Sequence, residues 1–147
     1  PISQRLSNLL DFARDLQSQL DDYPDSDDES IEFFEVFENP ELINPQWEAK
    51  VENRVVKPVS NVQANENIAM YFLYKYFLQA VYDLDVLSKA KMAVVGVLVN
   101  TYFGEDSWTI HLWSKETEHS QYNMDRYKNL LKTAKCLSVE ELKKHLK

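Results

Sequence analysis

The segment NIAMYFLYKYFLQAVYDLDVLSKAKMAVVGVLV, residues 67–99, decides the fold of this 147-residue chain. Apolar side chains fill most of the segment, and the polar pair Asp83 and Asp85 divides it into two halves. Each half belongs to a pattern of more than ten residues, which is the length of a buried helix rather than of a strand. We therefore predict two central helices over 65–82 and 87–103, with Asp85 as the N-cap of the second and Gly104 at its end.

The chain before residue 65 predicts three further helices. An opening helix carries an apolar stripe and should stop before Pro24. Ser30 can cap a short second helix, and Asn44-Pro45 supplies an N-cap and a first helical residue for a third helix, which Pro58 closes. The apolar and aromatic positions are Ile2, Leu6, Leu9, Ala13, Leu16 and Leu20 in the first helix, Phe33, Phe34 and Phe37 in the second, and Trp47, Val51 and Val55 in the third, beside Arg54.

The chain after Gly104 predicts a motif helix over 107–134 and a short last helix. The last helix begins at Ser138, which stands three residues before Glu141 in the spacing of a capping box. With 44% hydrophobic residues and only 2 Gly, the composition fits one domain that is stable without disulfide bonds or a structural metal and has no membrane anchor. We expect residues 1–147 to form a single all-α domain, an antiparallel bundle of six or seven helices.

Acidic residues are concentrated near the start of the chain. Residues 1–50 hold 13 Asp/Glu against 3 Lys/Arg, whereas residues 51–147 hold 11 against 13. The segment 21–29 is the most acidic stretch, and we predict a solvated acidic loop there, since like charges repel one another and repel phosphates. A calcium loop is disfavoured because Ser30 and Val36 occupy the positions that need Gly and Glu. Nucleic acid is therefore not an expected partner.

The cysteine count and the hydropathy pattern indicate a cytoplasmic protein. Cys136 is the only thiol, so no disulfide can form within the chain, and no signal peptide precedes Ile2. The longest apolar run, 92–99, is far shorter than the roughly 20 residues that cross a bilayer. We expect no membrane association, and an inert role for Cys136.

Four polar residues of the motif helix form the first candidate site. Glu116, His119, Ser120 and Asn123 follow helical spacing, which would place them on one face. A carboxylate one turn before an imidazole can bind a metal or fix the imidazole tautomer. A metal is disfavoured because 68–82 and 87–103 contain no Asp or Glu. The remaining alternatives are a hydrogen-bonded stripe facing a helix or another domain, and simple solvent exposure.

Three other groups of residues have structural or functional interpretations. Asp83, Asp85 and Lys89 form a candidate turn site, for which helix capping is favoured over ligand binding. Lys115 and Glu118 can form a surface ion pair. The tyrosines of the first central helix could shape a cation pocket, although core packing is favoured in so apolar a helix. These tyrosines are Tyr71, Tyr74, Tyr76 and Tyr82.

The glycine count excludes several enzyme classes. Gly96 and Gly104 are the only glycines, so the chain has no Gly-rich phosphate loop and no dinucleotide-type or Rossmann-methyltransferase fingerprint. There is also no G-x-S-x-G elbow. Composition and spacing alone therefore predict a soluble helical domain and no particular reaction.

Two segments resemble blocks of the flagellin lysine-N-methylase family in order and separation. They are YFLYKYFLQAVYDLDVLSKAK at 71–91 and WSKETEHS at 113–120, with INPQWEAKV at 43–51 as a shorter third. The resemblance covers about half of the chain. Its motif positions are occupied here by Asp83, Asp85, Lys89, Ser114, Lys115, Glu116, Glu118, His119 and Ser120. The chain departs from the pattern at Leu84, where a smaller turn residue is expected, and at Thr117, where an apolar one is common.

The resemblance implies S-adenosylmethionine-dependent methylation of protein lysines, such as those of flagellin. It also implies a metal-binding cysteine cluster in another portion of the protein, and leaves open whether S-adenosylmethionine binds in that portion or in this chain. We expect no metal in this chain. We expect a C-terminal helical domain that is inactive alone. The alternative is a stand-alone, non-enzymatic protein-interaction module. The candidate functional face consists of Ser114, Lys115, Glu116, Glu118, His119, Ser120 and Asn123.

Overall fold

The computed structural model describes residues 1–20, 30–60 and 62–147, and the predicted acidic loop 21–29 lies outside them. The regular elements of the described ranges are all helices, and there is no β-strand among them, as the sequence predicted. The α-helices are α1 (Ile2–Leu20), α2 (Pro45–Glu52), α3 (Gln63–Tyr76), α4 (Ala80–Asp83), α5 (Val86–Phe103), α6 (Ser107–Glu118), α7 (Gln121–Thr133) and α8 (Val139–His145). Short 3-10 helices occupy Phe33–Phe37, Phe77–Gln79 and Lys135–Leu137.

Helix α5 is the centre of the bundle, and every one of its 18 residues is buried. It packs mainly against α3 and α1, with α6, α7 and α8 completing its surroundings. Asn65 near the start of α3 contacts Asn100 near the end of α5, so these two helices are antiparallel. Gln17 near the end of α1 meets Val86 at the start of α5. The predicted antiparallel packing of the two central helices is therefore confirmed.

Helix α5 also has the length and hydropathy of a membrane span. All of it is covered by other helices of the same chain, as expected for the core helix of a soluble protein. A helix that is apolar all round needs such cover, because no side of it can face water without cost. The burial of α5 is consistent with the sequence-based expectation of a soluble protein.

Local capping signals fix most helix starts. Three predicted cap residues accept a hydrogen bond from a backbone N–H in the first turn of their helix. Asn44 accepts it from Gln46, Asp85 from Ser88, and Ser138 from Glu141. Each cap satisfies a backbone N–H that has no partner within its helix. The N-caps predicted at these three positions are confirmed, as is the end of α5 at Gly104, where φ is 141°.

Several predicted boundaries were wrong. The second helix is a 3-10 helix that Ser30 does not cap, and α2 ends at Glu52, before Val55. The first central helix is interrupted by a 3-10 turn at 77–79. The motif helix over 107–134 is two helices, because the chain leaves helical geometry at Ser120, whose extended backbone and side chain cap α7.

Neighbouring helices do not surround the first central helix. One side of α3 packs on α5, whereas the opposite side of α3 and the residues of α4 after Ala80 face solvent. The exposed side consists of large apolar residues, which we call the α3–α4 surface. Its members are Met70, Tyr71, Tyr74, Phe77, Leu78, Val81, Tyr82 and Leu84.

Candidate functional site

Glu116 is the centre of the predicted polar face, and its side chain is completely buried. Oε1 accepts hydrogen bonds from the backbone N of Ile43 at 3.1 Å and of Asn44 at 2.6 Å. Asn39 Nδ2 lies 3.5 Å from Oε2. The carboxylate therefore holds the loop that leads into α2, and its oxygens are used by backbone donors of the same chain.

Asn123 and Ser120 hold the same loop from α7. Asn123 Nδ2 donates to Glu41 O at 2.6 Å and to Glu116 O at 3.0 Å, while its Oδ1 accepts from Glu41 N at 3.3 Å. Ser120 Oγ donates to the Glu41 carboxylate and accepts from Asn123 N, so it also caps α7. These groups form a buried hydrogen-bonded network, which was one of the predicted alternatives for Glu116, Ser120 and Asn123.

His119 does not belong to this network, because it is exposed at the end of α6. The prediction that all four residues share one helical face was wrong, since the chain turns between His119 and the start of α7. Ser114 and Lys115 lie half-buried on α6, and the backbone N of His119 donates to Lys115 O at 3.1 Å where the helix ends. The structure therefore separates the predicted imidazole from the predicted carboxylate.

Glu118 joins the two segments that carry the family resemblance. Its carboxylate accepts hydrogen bonds from Lys75 Nζ and from the Tyr76 hydroxyl on α3. The predicted ion pair between Lys115 and Glu118 is not formed, because the Glu118 carboxylate pairs with Lys75 of α3 instead. Burial and the Glu118 hydrogen bond raise the pKa of Tyr76 far above its ordinary value. Tyr76 therefore stays protonated and donates to Glu118 throughout the physiological range.

The predicted turn site is an ion pair beside a helix cap. Lys89 Nζ, which is almost fully buried, donates to Asp83 Oδ2 at 2.7 Å, and Asp85 caps α5. Burial opposes ionisation of Asp83, but the hydrogen bonds from Lys89 and from the Asp85 backbone prevail and lower its pKa. Leu84 between them has φ of 57°, in the left-handed region. A left-handed φ favours Gly over a residue with a Cβ at this position.

The predicted tyrosine set divides between core and surface. Tyr76 is buried, whereas Tyr71, Tyr74 and Tyr82 are 42%, 78% and 86% exposed and belong to the α3–α4 surface. Core packing was therefore the wrong interpretation for these three residues. Lys75 lies 5.4 Å from the Tyr71 ring centroid and 5.7 Å from that of Tyr76, so the cation near these rings comes from the chain itself.

Sequence reasoning missed three buried amides, those of Gln17, Asn65 and Asn100. Gln17, 2% exposed, accepts from the backbone N of Val86 and Leu87 and donates to Leu84 O. Asn100, also 2% exposed, donates to Asn65 Oδ1. The only available signal was a polar residue at a core position of an apolar helix, which requires a partner when it is buried.

Cys136 is half-buried, and burial raises its pKa to about 11. A thiol with so high a pKa is a poor nucleophile at neutral pH. Within residues 1–20, 30–60 and 62–147, no group of three or more His, Cys, Asp or Glu side chains is placed to hold a metal. No protein-family model, curated protein or solved structure matches this chain.

Proposed function

We propose that this chain is the C-terminal helical portion of a lysine-N-methylase-like protein and that it acts there as a docking domain. In this proposal, S-adenosylmethionine-dependent methylation of protein lysines, such as those of flagellin, requires a separate cysteine-cluster portion. The α3–α4 surface receives that portion. The chain alone folds but transfers no methyl group.

The exposed α3–α4 surface is the observation that carries the proposal. Tyr74, Leu78, Val81 and Tyr82 are each more than 70% exposed, although apolar side chains of this size are normally covered. From the usual areas of such side chains, the whole surface exposes on the order of 800 Å². This is the contribution of one partner to a standard protein–protein interface, and it exceeds a typical patch on a monomer.

The position of the resembling segments supports the same partner. The segment 71–91 supplies almost all of the α3–α4 surface, and the segment 113–120 meets α3 through Glu118. Tyr74, Leu78 and Tyr82 bury little within this chain, so its own stability does not explain their apolar character. A portion that docks on them would explain it. The internal use of Glu116 and Asn123 favours docking over catalysis for this chain.

The test combines the purified chain with the cysteine-cluster portion of a flagellin lysine-N-methylase. Association is measured by sedimentation velocity, and methyl transfer from labelled S-adenosylmethionine to flagellin is measured in parallel. We expect both with the mixture and neither with the chain alone. Leu78→Asp and Tyr82→Asp should abolish both. Val56→Asp is the matched control, because Val56 is 72% exposed but precedes α3 and lies outside the α3–α4 surface.

Three outcomes would contradict parts of this proposal. Methyl transfer by the chain alone would place the active site within these helices. Association that survives both surface substitutions would mean that another face docks. Failure of the wild-type chain to bind the cysteine-cluster portion would favour the alternative, a stand-alone interaction module whose partner of another class covers the same surface.

A further inference from the structure

We propose that a cleft between α3 and the start of α6 binds a small primary ammonium compound with a short aliphatic chain. The cleft has a volume of about 360 Å³, which is within the range of small-molecule sites. Ile68 and Tyr71 of α3 and Ile110 of α6 provide apolar walls. This site does not depend on the proposed docking function, and its ligand would bind to the isolated chain.

Asn100 supplies the polar group at the base of the cleft. Its Nδ2 donates to Asn65 Oδ1 at 3.1 Å, and this orientation is fixed because Asn65 Nδ2 donates to Ser60 O at 2.8 Å. Its Oδ1 accepts no hydrogen bond from any residue in the described ranges. No fully buried side-chain oxygen or nitrogen in those ranges lacks a partner, so this oxygen is accessible, and Asn100 is one of the residues that line the cleft. A residue only 2% exposed thus offers a free acceptor to a ligand.

Two carboxylates stand at the rim of the same cleft. Glu105 Oε1 lies 3.3 Å from Lys57 Nζ, and Asp106 Oδ2 lies 3.8 Å from Lys50 Nζ, but neither lysine lines the cleft. Asp106 Oδ1 accepts from Thr109 N at 2.7 Å, so it caps α6 and offsets the positive end of that helix. This backbone hydrogen bond lowers the pKa of Asp106, which is therefore ionised at neutral pH.

The arrangement of acceptors selects the ligand. An alkylammonium group has three N–H donors and no acceptor, and the cleft offers one amide oxygen and two carboxylates. The apolar walls suit a short methylene chain next to that head group. A carboxylate ligand would meet Glu105 and Asp106 as like charges, and a chain of net charge −8 repels anions generally.

The proposal is tested by titrating the ¹⁵N-labelled chain with n-butylammonium and following backbone and side-chain amide signals. We expect saturable shifts that include the Asn100 side-chain amide. Matched titrations with 1-butanol and butyrate should give binding at least about tenfold weaker. A blocked lysine derivative, Nα-acetyl-lysine methylamide, tells whether the group that enters is a free small amine or a lysine side chain. Either source is consistent with the proposed chemistry.

Conservative variants separate binding from folding. Glu105→Gln combined with Asp106→Asn removes both charges while Asn remains a competent cap, and it should weaken n-butylammonium binding about tenfold or more. Asn100→Leu should abolish binding. Glu52→Gln is the matched control, because this exposed carboxylate lies on α2 and does not line the cleft. Unchanged binding in the double variant, no saturable shift, or butyrate binding as tight as n-butylammonium would each overturn the proposal.

Discussion

Glu116 Oε1 lies 2.6 Å from the backbone N of Asn44, although 72 residues separate them along the chain. Asn44 is itself the N-cap of α2, so a carboxylate from α6 positions the start of another helix. The most conspicuous motif of the sequence therefore stabilises the fold through a loop that no sequence pattern connected to it.

Replacing Glu116 by Ala should destabilise the protein strongly. The change leaves the backbone N–H groups of Ile43 and Asn44 without their acceptor, and hydrogen bonds to charged groups contribute about 1.5–3 kcal/mol each to stability. We expect a loss of about 3 kcal/mol in urea denaturation, and a smaller loss for Glu116→Gln, which keeps one acceptor. Glu48→Gln, an exposed control on α2, should change stability by less than about 0.5 kcal/mol. Equal stability of all three variants would contradict the network.

Gly96→Ala tests the close packing of α3 on α5. A Cβ at position 96 would lie 2.4 Å from Cε2 of the buried Phe72 ring, so one of the helices must shift. Overpacking typically costs about 1–3 kcal/mol, which outweighs the higher helix propensity of Ala. We expect a net destabilisation measurable by chemical denaturation. Phe72→Leu should cost less in the Gly96→Ala background than in the wild type, and additive effects would show that the two positions do not interact.

Leu84→Gly should stabilise the turn before α5. Leu84 is the one described non-glycine residue with positive φ, at 57°, and its side chain is 45% exposed. A left-handed conformation costs an L-residue about 1–2 kcal/mol, whereas Gly adopts it freely. Gly also raises the conformational entropy of the unfolded chain, which offsets part of this benefit. We therefore expect the free energy of unfolding to rise by about 0.5 kcal/mol, seen as a higher Tm. A lower Tm would mean that contacts of the Leu84 side chain outweigh its backbone strain.

The Asp83–Lys89 ion pair should make the free energy of unfolding depend on pH in the acidic range. The folded-state pKa of Asp83 is lowered, so its contribution is fully present above the unfolded value of about 3.9 and is lost as pH falls through the folded value. Asp83→Asn should cost about 0.5–1 kcal/mol near pH 7, because the Asp83 side chain is 41% exposed and solvent screens its pair with the buried Lys89. The difference between wild type and variant should shrink below pH 4. A difference that is constant from pH 7 to pH 3 would contradict the assignment.

The sequence predicted the local parts of the fold correctly because their causes lie within a few residues. Asn44, Asp85 and Ser138 cap their helices through side chains that reach backbone groups two or three residues away. The predominantly apolar composition of 86–103 likewise favoured a buried central helix. Ser120 has the same capping chemistry, but its continuous helical surroundings hid the break between α6 and α7.

The candidate site could not be predicted to the same extent, because its partners are distant in sequence. Nothing local to Glu116 indicates that Ile43 and Asn44 will donate to it, and nothing local to Glu118 indicates Lys75 and Tyr76. The free acceptor of Asn100 also depends on how Asn65 is oriented by Ser60.

By itself, the sequence determined that this protein is an all-α bundle, since apolar periodicity and caps act over single turns. Only the tertiary structure decided which polar residues became internal supports and which apolar residues stayed outside. The physical reason is that α3 has apolar groups on nearly all sides but packs on α5 with only one of them. The remaining side, which continues through α4 to Leu84, is exposed.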